Sequence, residues 1–141
     1  MKNKPLVIGI CAFTILIVLI LMIQPWASWA KKPFKDLSAE KISEVSVQLL
    51  PPDVTLKLSE NEISDLVKIL HSVVIYNVDD SYKSYVGQAV IYTISKTDGT
   101  KIKINAYNPF LIIDDVGYKT KYEPCEQLNA LGNQIRNADD P

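Results

Sequence analysis

From Leu6 to Ile23 the chain reads LVIGICAFTILIVLILMI without a single charge. About twenty helical residues cross the hydrocarbon core of a bilayer, so this run is just long enough to span it. A buried core helix is the alternative, and it is set aside because no face of this helix is polar. It also exceeds the apolar region of an ordinary signal peptide, roughly 7 to 15 residues. Trp26 and Trp29 follow where an interfacial aromatic belt would lie. The run predicts an N-terminal anchor over residues 1–30, attached to the membrane through residues 6–23.

Two questions stay open at this point. Ser28-Trp29-Ala30 places small residues where a signal peptidase reads, so residues 1–30 also fit an export signal that is removed. Lipidation at Cys11 fits less well, because Ile10 precedes it where a small residue is wanted. Orientation is contested too. Lys2 and Lys4 lie on one side of the run, and Lys31, Lys32, Lys35 and Lys41 on the other. Counted literally, the positive-inside rule places the C-terminal part in the cytoplasm. A very short basic N-terminus ahead of an apolar run is, however, the layout of an uncleaved export anchor. The reading taken here is a single-pass cell-membrane protein with an extracytoplasmic C-terminal domain.

The remainder is sized for one domain. The chain holds 15 Lys plus Arg and 16 Asp plus Glu; without Lys2 and Lys4 the basic count is 13. That mildly acidic balance gives no electrostatic footprint for nucleic acid. Cys11 and Cys125 cannot pair if one lies in lipid or in a removed peptide. About a hundred residues can bury enough surface to fold without a disulfide.

Residues 31–41 read as a linker, 42–136 as the folded domain and 137–141 as a frayed tail. Val45, Val47 and Leu49 alternate with polar residues, as do Val54, Leu56 and Leu58, giving two strands around Pro51-Pro52-Asp53. Ser59 and Glu62 have capping-box spacing ahead of a helical stripe of Ile63, Leu66, Val67 and Leu70. VVIYNV then suits a strand, broken by Asp79-Asp80-Ser81.

Residues 86–96 and the stretch from Lys101 onward form a hairpin around Asp98-Gly99. A two-residue turn would put the apolar faces on opposite sides. A three-residue loop, Thr97-Asp98-Gly99, pairs Ile94 with Ile102, Tyr92 with Ile104 and Val90 with Ala106. The second register is predicted, with Gly99 left-handed. A short hairpin follows around Asp114-Asp115. Pro124 suits the first position of a last helix whose apolar face is Leu128, Leu131 and Ile135. The order is strand, strand, helix, about five strands, helix. The fold class is α+β: an N-terminal transmembrane helix plus a two-layer domain, a largely antiparallel sheet with two helices on one face.

Chemistry-bearing groups are sparse. Cys125, in the first turn of a helix, and His71, the one histidine, make a Cys-His pair arithmetically possible. Cys125 shares the face of Leu128, however, and a small buried hydrophobe is the commoner role. No catalytic residue is assigned. One histidine and one accessible cysteine do not make a standard zinc site. Asp79, Asp80, Asp114 and Asp115 lack the spacing of a calcium loop. No metal and no cofactor are expected.

All seven tyrosines lie downstream of the anchor. Tyrosine offers rigid amphipathic area and is enriched at recognition surfaces, although it also paves half-buried sheets. The candidate binding residues are Tyr82, Tyr85, Tyr107, Tyr118, Lys119 and Tyr122, with Tyr118 and Tyr122 on one face of a strand. Asn108-Pro109 ends a strand, and Phe110 is expected to plug the core.

The stretch AYNPF, followed by VGYKTKYEPCEQLN, resembles a family of small uncharacterised domains from Gram-positive Firmicutes. The likeness runs from about Pro33 to Ile135. It implies a membrane-tethered or exported domain, with some relatives joined to membrane proteins of antibiotic-sensing type, and it carries no activity over. Similar sequences tend to have Gly where this chain has Asp115, which predicts a looser turn here. The expectation is a membrane-anchored extracytoplasmic binding or sensing module for a protein, peptide or cell-envelope ligand. Alternatives are an inhibitor-like or regulatory domain acting on a partner membrane protein, and a thiol enzyme using Cys125.

Overall fold

The structure, a computed structural model, describes residues 13–19 and 30–139. Residues 13–19 are helical and exposed. Among the described residues no helix is long and apolar enough to cross a membrane. The rest of the Leu6–Ile23 run lies outside the described residues, as do Cys11, Trp26 and Trp29. Residues up to Ala30 form a unit separate from the one that begins at Lys31.

The second unit is α+β, with one seven-stranded antiparallel sheet. Its strands are β1 (Ile42–Leu50), β2 (Val54–Lys57), β3 (Ile75–Val78), β4 (Ala89–Lys96), β5 (Lys101–Tyr107), β6 (Phe110–Ile113) and β7 (Val116–Thr120). Helix α1 (Glu60–Ser72) falls between β2 and β3, and α2 (Tyr122–Asp139) follows β7. The chain order is the predicted one. In space the order is β2-β1-β4-β5-β6-β7-β3, so α1 carries the chain from one sheet edge to the other.

Residues 31–41 are not a linker. Lys31 exchanges both backbone hydrogen bonds with Ile75 on β3, at 2.8 and 2.9 Å. Phe34 and Leu37 are buried in the core. Apolar side chains at these two positions have no period to read, and so they escape pattern analysis. At the other end, Asn137 to Asp139 complete α2 rather than fraying. The last two residues of the expected tail, Asp140 and Pro141, lie outside the described residues.

Alternation sorts the sheet into two faces. Val45, Val47, Leu49, Val90, Tyr92, Ile94, Ile104, Ala106 and Leu111 point into one apolar cluster. Leu66, Val67 and Leu70 of α1 enter it, as do Cys125, Leu128, Leu131 and Ile135 of α2. Two contacts fix α2 on the sheet. The buried Tyr92 hydroxyl donates to the Leu128 carbonyl at 2.6 Å. Gly132 sits where a Cβ would run into the Val90 side chain, so only glycine permits this approach. Helix α1 starts at the predicted capping box: Glu62 N–H donates to Ser59 Oγ, and Ser59 N–H donates to Glu62 Oε2.

The turns follow local chemistry. β4 and β5 pair Ile94 with Ile102, Tyr92 with Ile104 and Val90 with Ala106, in the three-residue-loop register. Gly99 has φ 86° and its N–H reaches the Lys96 carbonyl at 3.0 Å. The Asp114-Asp115 turn is not the looser one expected of an Asp at its second position. Both residues are left-handed (φ 47° and 68°), and Ile113 pairs directly with Val116. That is the geometry of a tight two-residue hairpin turn. Asp114 stabilises it from outside: its N–H donates to the Lys103 carbonyl, and its carboxylate accepts from the Lys103 N–H, each at 2.9 Å. Helix α2 begins at Tyr122, so Pro124 stands third rather than first, still among the amides with no intrahelical partner.

Candidate functional site

The six sequence-predicted residues do not form one surface. β6 pairs Phe110 with both Tyr107 and Lys119, and Leu111 with both Ala106 and Tyr118. Residues directly opposite share a face. Tyr107, Phe110 and Lys119 therefore face away from the main core. Tyr118 faces into it and packs against it. Tyr122 is not on a strand at all: it is the first residue of α2 and 59% exposed. Tyr118 and Tyr122 drop out of the site. Alternation alone puts them together, because it runs two residues past the true end of β7.

What remains is an aromatic cluster on the second face. Phe110 is its floor, 4% exposed, and it is covered rather than inserted into the main core. The Tyr82 and Tyr85 rings tilt over it, with centroids 6.3 and 5.4 Å away. The Tyr107 hydroxyl donates to the Tyr85 carbonyl at 2.7 Å, tying β5 to the covering segment. Lys83 Nζ lies 5.7 Å from the Tyr82 ring centroid, within reach of a cation–π contact.

The cover is a short 3₁₀ helix, Asp80–Ser84, followed by the irregular residues 85–88. Asp79 sets its direction. Its N–H donates to the Gly117 carbonyl on β7 at 2.9 Å, and its carboxylate accepts from Ser81 N–H at 2.9 Å. Hydrogen bonds from Ser81, with Lys119 Nζ 3.7 Å away, hold the Asp79 carboxyl below its ordinary value. Gly117 completes the seat. A Cβ there would lie 2.5 Å from the Tyr82 ring. Sequence reasoning misses both of these supports. The available signal is strand alternation, which puts Gly117 on the face opposite Tyr118.

Two grooves flank the cluster. One is lined by Tyr82, Ile91, Lys103, Asn105, Ile112 and Asp115. The other, about 230 Å³, lies between residues 85–88, the Tyr107-Asn108 corner and Asn129 of α2. Asn105 lines the first and Asn108 the second; the Oδ1 atoms of both are closed to solvent and meet no donor among the described residues.

Cys125 and His71 do not partner one another. The Cys125 thiol is buried and donates to the Phe110 carbonyl at 3.2 Å. Burial pushes its pKa up to about 12, against the dipole effect expected of a helix's first turn. His71 Nε2 lies 2.6 Å from the Leu37 carbonyl and so acts as a donor there. Among the described residues no three His, Cys, Asp or Glu side chains come together to hold a metal ion.

No family model, curated protein or solved structure matches this chain.

Proposed function

We propose that the chain is a membrane-anchored extracytoplasmic binding or sensing module whose recognition surface is the cluster of Tyr82, Tyr85 and Tyr107 over Phe110, edged by Lys119. The single observation that carries this reading is the exposure of Tyr85. It is 57% exposed while its ring caps a buried phenylalanine. Next to it Val86 is fully exposed. An apolar pair held outward by a dedicated cover segment is a surface a partner can desolvate. The anchoring half of the proposal rests on the uncharged Leu6–Ile23 run, and the kinship half on the Firmicute-like signature described above.

Two measurements test it. Protease added to whole cells should digest the domain; full protection would place it on the cytoplasmic side and overturn the extracytoplasmic assignment. Hydroxyl-radical footprinting should oxidise Tyr85 more slowly in whole cells than in the purified chain, while Tyr122 reacts alike in both. Equal oxidation of Tyr85 in the two settings would remove the binding surface.

A further inference from the structure

Resting on the membrane-anchored part of that reading, and not on its orientation, we infer that the outer edge of β3 is a lipid-docking face. Tyr76 and Val78 meet the headgroup layer of the membrane that holds the chain, and Lys31, Lys32 and Lys35 bind its anionic headgroups.

β3 is an edge strand of the sheet, and among the described residues only Lys31 pairs with its outer side. Beyond Ile75 the strand runs on uncovered: Tyr76 is 42% and Val78 63% exposed. An open edge carrying β-branched and aromatic side chains is a surface for something to cover. Two observations name the cover.

The first is reach. Lys31 is the residue hydrogen-bonded to Ile75, and the uncharged run ends at Ile23. Fully extended, the chain from Ile23 to Lys31 spans at most about 28 Å. The headgroup layer takes up about 5–7 Å of that. An anchored chain therefore keeps this end of β3 within about 20 Å of the lipid surface. A partner from solution competes with a bilayer that is tethered beside the edge at high effective concentration.

The second is charge. Lys31, Lys32 and Lys35 are exposed, and Asp36 is the one acid in residues 31–38. Among the described residues none of the three lysines is in an ion pair. Lysine lays its apolar stem along a surface and extends its ammonium to phosphate. Tyrosine sits at the same level, ring toward the acyl chains and hydroxyl toward water. An acidic protein would match the lysines, but the tether does not bring one to them.

The test uses the full chain with Cys11→Ser, labelled with a fluorophore at Tyr76→Cys or at Thr55→Cys. Thr55 is exposed on β2, the opposite edge of the sheet, and Cys125 is buried. The chain is placed in nanodiscs of equal parts phosphatidylcholine and phosphatidylglycerol, with a headgroup-nitroxide lipid as quencher. Position 76 should be quenched strongly and position 55 weakly. Removing one lysine charge should lower the docked-to-undocked ratio about fivefold. Lys31→Glu, Lys32→Glu and Lys35→Glu together should bring position 76 down to the level of position 55. On the chain without these three changes, phosphatidylcholine alone or about 0.5 M salt should do the same.

Equal quenching at the two positions overturns the inference. So does quenching at position 76 that ignores lipid charge and salt, or crosslinking of two chains through position 76, which would make a second copy the cover. Flotation of the full chain with liposomes in high salt reads the anchor separately. A chain that does not float overturns the anchored reading and this inference together; one that floats without selective quenching at position 76 overturns this inference alone.

Discussion

The Tyr82 ring occupies the space that a Cβ on Gly117 would need: the two would lie 2.5 Å apart. The Asp79 carbonyl stands 2.6 Å from the same point, so a side chain there meets backbone as well as ring. The aromatic cover and the glycine of β7 are therefore one feature. Gly117→Ala is expected to cost about 1–3 kcal/mol, the usual penalty of overpacking. Denaturant unfolding measures it. Adding Tyr82→Ala should recover only part of the loss, because the carbonyl clash remains. Full recovery would show that the ring alone sets the requirement.

Tyr92 ties the sheet to α2 through the Leu128 carbonyl. Burial raises its pKa, so the phenol stays protonated and able to donate at neutral pH. Tyr92→Phe is expected to destabilise by about 1 kcal/mol, the worth of one buried neutral hydrogen bond. The fold should be unchanged by circular dichroism, and the unfolding midpoint in urea should fall without a change in slope.

Cys125 gives a pH dependence with a definite sign. Its folded pKa is raised from 9.0 to about 12 by burial. As pH rises past 9 the unfolded chain releases the thiol proton while the native chain keeps it. The unfolded state then binds fewer protons, and stability falls. The contribution is fully present below about pH 9 and declines toward pH 12, by at most about 1.4 kcal/mol per pH unit for this one group. Urea midpoints between about pH 8 and about pH 9.5, below the range where the buried Tyr92 adds a loss of the same sign, should show the fall, and Cys125→Ala should reduce it. In a Cys11→Ser background a thiol reagent should modify Cys125 only at the rate of unfolding. Rapid modification of the folded chain would return the thiol enzyme to consideration.

Much of the fold is legible because apolar alternation and turn chemistry agree. The β4–β5 register can be chosen over its rival since only one loop length buries Val90, Tyr92 and Ile94 with their partners. The capping box at Ser59 is local chemistry, and the structure forms it. Long-range relations are not legible. Phe34 and Leu37 are isolated apolar residues in a basic stretch, and their burial depends on β3 being the sheet edge that Lys31 joins. Phe110 is large and apolar, which suggests the core, yet strand parity points it to the other face. The candidate site fails where a boundary fails: ending β7 at Thr120 moves Tyr122 onto α2. No pattern in the chain announces that Tyr82 will fold back onto Gly117.

The hairpin at Asp114-Asp115 offers a gain rather than a loss. Asp115 holds φ 68° at a position that glycine occupies without steric cost. Its ion pair with Lys103 is long, 3.9 Å, and exposed on both sides, so little is lost with it. Asp115→Gly is expected to stabilise by about 0.5–1 kcal/mol. Asp114→Ala should do the reverse by about 1 kcal/mol, because it removes the acceptor for the Lys103 amide. Thermal melts of the two variants separate these effects.

The central claim is that the surface around Tyr85, and not the tyrosines as a set, meets a partner. Its most direct test is a photo-crosslinking amino acid placed at Tyr85 or at Tyr122 in the full chain and irradiated in whole cells. The two side chains are almost equally exposed, 57% and 59%, so accessibility alone does not separate them. The account predicts a discrete crosslinked product from position 85 and none from position 122. Products of equal yield from both positions, or from position 122 alone, would contradict it.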